Sequence, residues 1–127
     1  MPDKEEKTKV FVIDDSVMAR NMLIRILATE SSIEVVGEAG TGQSAILLLD
    51  SIDPDIAILE ASLGGGMDLG EVAYRMKEAK PDIKIILVAD TNTPSSVAEY
   101  YDYGVCDVVK KPYISTKVLK AVEAAAQ

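Results

Sequence analysis

Histidine is absent from this 127-residue chain. That absence excludes imidazole acid–base catalysis, Ser-His triads, His-ligated metals and a phosphohistidine relay within the chain. Cys106 is the single cysteine. No internal disulfide or Cys-rich metal centre can form from it, and a reducing compartment is expected. Long apolar runs are missing too: none approaches the ~20 residues of a membrane helix. The opening MPDKEEKTK is polar and has no signal-peptide h-region. A cytoplasmic domain with no membrane contact is expected. Basic charge is scarce, with 13 Lys and Arg against 21 Asp and Glu, a net of −8. An acidic surface repels phosphate backbones. The one adjacent basic pair, Lys110-Lys111, is too small for a nucleic-acid patch, so direct nucleic-acid binding is not expected.

What remains is an ordinary globular mix, 48% hydrophobic and 27% charged, in one domain-sized chain. Residues 1–8 are expected to form a flexible charged leader and 9–127 the domain. Val10-Phe11-Val12-Ile13 is continuously apolar, as suits a strand buried on both faces. Ala19, Met22, Leu23, Ile26 and Leu27 then recur at helical spacing behind Asp15 and Ser16. Further strands are expected at 33–36, 56–59, 83–88 and 105–109. Helices are expected from the Thr41 cap to Leu49, from Asp68 with Leu69, Val72, Ala73 and Met76 inward, from Thr93-Pro94 to a stop at Gly104, and from Ser115. Five strands alternating with five helices predict a doubly wound α/β (βα)5 sandwich with a parallel sheet in order 2-1-3-4-5. Such sheets bind ligands beyond the carboxyl ends of their strands. The residues there are Asp14-Asp15, Glu38, Glu60, Ala89-Asp90 and Lys110-Lys111. Carboxylates from neighbouring strands repel unless a cation, Mg²⁺ or a lysine, offsets them.

Three stretches in order, Val12 to Arg20, Pro54 to Leu59 and Gly104 to Pro112, resemble the receiver domain of bacterial response regulators, a flavodoxin-like fold. The resemblance covers residues 8–126. It implies two-component phosphorelay signalling by a protein that is not itself a conventional enzyme. In the family, a kinase supplies a phosphoryl group to an aspartate ending strand 3. Mg²⁺ held by an acidic pair assists, and a lysine contacts the phosphoryl group. A Thr or Ser and an aromatic then change the face of the fourth helix, fifth strand and fifth helix.

Carried onto this chain, the acidic pair is Asp14 and Asp15, and the lysine is Lys111, followed by Pro112. The phosphoacceptor position is Glu60, the hydroxyl position Val88 and the aromatic position Val108. Each of these three departs from the family's usual residue. The loop Ala61 to Asp68 looks one residue longer than usual. Glutamate carries its carboxylate roughly 1.5 Å further than aspartate, and misplacement by ~1 Å can cost ~10²-fold. That carboxylate can instead pair with Lys111. Valine has no hydroxyl to offer a phosphoryl oxygen. The expectation is an atypical receiver, a pseudo-receiver acting without phosphorylation. Its partner would be a histidine kinase or effector domain, met through the face just named, with a homodimer left open. Mg²⁺ would be held weakly by Asp15 and Glu60.

Two alternatives stand beside it. Glu60 can mimic the phosphorylated state and hold the domain on, although one charge falls short of about −1.5 to −2. Alternatively, the chain is a flavodoxin-like enzyme or cofactor binder, against which two carboxylates after strand 1 would repel a flavin phosphate. Tyr100, Tyr101 and Tyr103 are partner-surface candidates, with one expected to pack on Val97. Cys106, Met18 and Met22 are expected in the core. Gly64 to Gly66 reads as a loop.

Overall fold

The computed structural model describes residues 6–63, 67–89, 101–112 and 114–127. Its elements are β1 (Thr8–Ile13), α1 (Val17–Ala28), β2 (Ile33–Ala39), α2 (Gly42–Ile52), β3 (Ile56–Glu60), α3 (Leu69–Ala79), β4 (Lys84–Ala89), β5 (Val105–Lys110) and α4 (Ser115–Ala125). All the ladders are parallel and the sheet order is β2-β1-β3-β4-β5, as expected. The helix expected from Thr93 lies outside the described residues apart from its end at Tyr101 and Asp102, and so does the Gly64 to Gly66 loop. Thr8, expected in the leader, already pairs with Ile33.

Strand parity builds the three layers. Successive side chains point to opposite faces, so a strand buried on both sides is apolar throughout. Phe11, Ile13, Ala57, Leu59, Ile85 and Leu87 face α2 and α3, where they meet Ala45, Leu49, Val72, Ala73 and Met76. Val10, Val12, Ile56, Ile58, Ile86 and Val88 face α1 and α4, meeting Leu23, Leu27, Val118 and Val122. Helix starts follow side-chain caps. Ser16, Thr41 and Asp68 each accept a hydrogen bond from the backbone N–H three residues on. Ser115 is the first residue of α4, and its cap position, Ile114, supplies no side-chain bond. Gly42 lets α2 approach α3: a Cβ there would sit 2.5 Å from Val72 Cγ2. Gly104 enters β5 at φ +94°, a conformation that favours glycine.

Three expectations about the core fail. Cys106 is exposed, not buried. The β4–β5 register shifts there, with Ile85 opposite Val105 but Ile86 opposite Asp107, and the irregularity turns Cys106 out of the ladder. Met18 is 77% exposed and Met22 is also exposed. The inner face of α1 runs through Leu23 and Leu27, so Met18 and Met22 lie off it. Tyr103 packs over Gly70 of α3, whose added Cβ would lie 3.0 Å from the ring, whereas Tyr101 is exposed.

Candidate functional site

The carboxyl ends of β1, β3 and β5 bring Asp14, Glu60 and Lys111 to one end of the sheet. β3 runs one residue further than expected and ends on Glu60, which pairs in register with Val88. The backbone past each strand stays tied to its neighbour. Asp14 N–H donates to the Ala39 carbonyl at 3.0 Å, Ala61 N–H to that of Val88 at 2.8 Å, and Lys111 N–H to that of Ala89 at 2.7 Å. Each strand end at the site is therefore held by a backbone hydrogen bond to its neighbour.

Glu60 is only 3% exposed. Both its carboxylate oxygens are engaged. Oε1 lies 2.7 Å from Lys111 Nζ, an ion pair rather than a well-aligned hydrogen bond. Oε2 accepts from the Ser62 hydroxyl at 2.9 Å and from the Ser62 N–H at 3.3 Å. A buried carboxylate is tolerated only when paired and hydrogen-bonded, and here it is both. The Lys111 side chain is 32% exposed. The Lys111–Pro112 peptide is cis.

Asp14 is 2% exposed, and its Oδ1 accepts from Ser16 N–H at 2.9 Å. Burial raises its pKa above the usual carboxylate value. The Ser16 hydrogen bond opposes that rise, and the neighbouring charge of Glu60 adds to it. Because the folded-state value lies above the unfolded one, the charged form costs stability at neutral pH, and the cost disappears as pH falls below the unfolded value. Asp14→Asn keeps the Ser16 hydrogen bond and removes the charge. It is expected to raise the urea midpoint at pH 7 and to bring no gain below the carboxylate range. Urea titrations of both proteins at pH 7 and pH 3.5 check this.

Asp15, by contrast, is exposed. Among the described residues no three acidic or cysteine side chains gather in a way that could hold a metal. Glu60 is committed to Lys111 and Ser62, and Asp14 to Ser16. Val88 is buried beside Glu60 and contributes no hydroxyl; Val108 is partly buried against the α2–α3 core. Asp90 lies outside the described residues.

Two participants escape a reading of the sequence. Ser62 clamps Glu60, and its only signal is a hydroxyl two residues beyond a strand-end carboxylate. Arg20 joins α1 to two strands: Nη1 donates to the Asp14 carbonyl at 2.7 Å and Nε to Glu38 Oε1 at 2.8 Å. Glu38 lies within β2 rather than after it, and nothing in the local pattern announces the pair.

Known proteins match this chain in sequence and in fold. The family model for the response regulator receiver domain matches residues 10–123. The chemotaxis protein CheY of Listeria monocytogenes is 30% identical over 119 residues, covering 94% of this chain and 98% of that protein. The probable transcriptional regulatory protein NarL of Mycobacterium tuberculosis is 31% identical over 117 residues, 92% of this chain and 54% of that protein. This chain thus spans about half the length of the first curated relatives it matches. The solved signal receiver domain of NarL from Mycobacterium tuberculosis superposes with a TM-score of 0.86 at 30% identity, covering 96% of this chain and 98% of that one. The RcsB receiver domain from Salmonella enterica, solved with the phosphomimetic BeF3−, reaches 0.86 at 23% identity and shares the fold. No helix among the described residues is long and apolar enough to cross a membrane. The flavodoxin-like enzyme alternative gives way to a signalling domain. This chain belongs to the response regulator receiver domain family of two-component signalling.

Proposed function

We propose that this receiver is atypical, a protein-interaction module whose output does not depend on phosphorylation. The observation that carries the reading is the Glu60–Lys111 ion pair at 2.7 Å, with Ser62 closing the other oxygen. Glu60 stands where the family's acceptor aspartate is expected, and Lys111 where its phosphoryl-contact lysine is. Phosphoryl transfer is mostly positioning and charge stabilisation. Here the acceptor carboxylate is too long, and the lysine that would hold the incoming oxygens holds Glu60 instead. Asp14 and Asp15 keep the family's acidic pair. Mg²⁺ could reach this pocket only weakly, in competition with the Lys111 ammonium. Val88 offers no hydroxyl, and Val108 no ring, to carry a signal outward.

The competing reading makes Glu60 a fixed mimic of a charged acceptor. It shares the ion pair, but it needs a switch that Val88 and Val108 do not supply. Partners of the module are a histidine kinase or an effector domain, through the face of the helix before β5, β5 and α4. Addition of BeF3− and Mg²⁺ to the ¹⁵N-labelled chain checks the reading. The amide spectrum is expected to stay unchanged; shifts spreading from Glu60 to β4, β5 and α4 would contradict it.

A further inference from the structure

Asp14, Asp15 and Glu60 gather carboxylates at one end of the sheet, and the Lys111 ammonium stands against them. Asp14 and Glu60 are both buried. Carboxylates held this close need a cation. Their charges do act on one another. Burial is the main cause of the raised Asp14 pKa; beyond it, Glu60 and Asp15 push the value up and Lys111 pulls it down.

The donor set suits an ammonium better than a metal. Glu60 Oε1 lies 2.7 Å from Lys111 Nζ, and Oε2 accepts from the Ser62 hydroxyl and N–H. Asp14 Oδ1 accepts from Ser16 N–H. Mg²⁺ demands near-octahedral oxygen ligands and gives up its water reluctantly. To reach Glu60 it has to displace an ammonium that is already in place and shed water of its own. Lys111 is part of the chain, and its backbone N–H is fixed to the Ala89 carbonyl at 2.7 Å. It therefore loses no translational freedom when it meets Glu60, as a metal ion from solution does.

We propose that Lys111 is the built-in counter-cation of this pocket, standing in for a divalent metal, and that its removal converts the pocket into a Mg²⁺ site. The inference rests on the reading above that Lys111 is committed to Glu60. It adds what that commitment controls: the wild-type domain is indifferent to Mg²⁺. Glu60 Oε1 is the deciding atom. It is buried and has the ion pair but no hydrogen-bond partner among the described residues. Without the ammonium, an anionic oxygen is left uncompensated beside a second buried carboxylate. A hard dication needs only one or two carboxylates and keeps several waters, which is what the emptied pocket then offers.

Urea unfolding at pH 7, in about 10 mM MgCl₂ or in NaCl of equal ionic strength, tests the proposal. The wild-type midpoint is expected to be the same in both salts. Lys111→Met should gain stability in MgCl₂ alone. Its half-saturating Mg²⁺, followed through the Asp15 and Ser62 amide shifts, should lie at least about tenfold below that of the wild type. If the variant is unfolded in NaCl, refolding in MgCl₂ reads the same gain. Lys111→Arg keeps a cation and should behave as the wild type. Adding Glu60→Gln to Lys111→Met should abolish most of the gain. A wild-type midpoint that rises in MgCl₂ overturns the proposal. So does a Lys111→Met protein, folded or not, that gains nothing from Mg²⁺, or a gain that survives Glu60→Gln. No phosphodonor is present in these experiments. A wild type stabilised by MgCl₂ yet unmodified by acetyl phosphate defeats the counter-cation alone, whereas a phosphoryl adduct defeats the reading beneath it.

Discussion

Replacing Lys111 with methionine is expected to destabilise the domain by about 2–4 kcal/mol at pH 7. Glu60 is almost wholly buried, and Lys111 is the cation against it. Removing one member of a buried pair typically costs about 3–5 kcal/mol, because a charge is left without compensation. The lower figure applies here for two reasons. The Lys111 side chain is partly exposed, and Ser62 still bonds Oε2 after the substitution. Glu60→Gln alone should cost much less, about 1 kcal/mol, since the Lys111 side chain is partly exposed and its charge is solvated. The double variant should fall close to Glu60→Gln, giving a coupling energy of about 2–4 kcal/mol. Urea unfolding of the four proteins measures this cycle. Additive effects would mean that the ion pair is incidental to the fold.

The second large effect is a gain of chemistry. Glu60→Asp withdraws the carboxylate by roughly 1.5 Å. That distance separates it from Lys111 and from the Ser62 hydroxyl, and frees space at the end of β3. Asp14, Asp15 and Lys111 remain, so the variant should accept a phosphoryl group from acetyl phosphate in a Mg²⁺-dependent way. It should not transmit the event, because Val88 still lacks a hydroxyl. Adding Val88→Thr supplies one, and amide shifts should then extend from β4 toward β5. Intact mass and NMR spectra of the single and double variants separate acceptor from readout. A Glu60→Asp protein that stays unmodified would place the obstacle elsewhere in the pocket.

Much of this site could be read from residue order because strand ends are set by ladder pairing and apolar parity. Val10 to Ile13, Ile56 to Leu59 and Ile85 to Val88 are apolar on both faces, which only a sheet covered on both sides requires. The residues just beyond such runs must emerge at one edge, and Asp14, Glu60 and Lys111 do. Irregular features were hidden for equally physical reasons. The register shift that exposes Cys106 depends on how β5 meets β4, a pairing between distant segments. An apolar side chain on a short helix can face water when the inner stripe is already filled, as at Met18 and Met22. Ser62 gains its meaning only once Glu60 turns inward. Arg20 reaches Glu38 across 18 residues of chain, through a contact that periodicity cannot encode.

Incubation of the wild-type chain with acetyl phosphate and Mg²⁺, followed by intact-mass measurement, reaches the main proposal most directly. The mass should remain that of the unmodified protein, because Glu60 overshoots the in-line position and Lys111 is committed to it. The Glu60→Asp variant under the same conditions serves as the positive control. A phosphoryl adduct on the wild type, mapped to Glu60, would contradict the proposal and return this chain to the phosphorylated receivers.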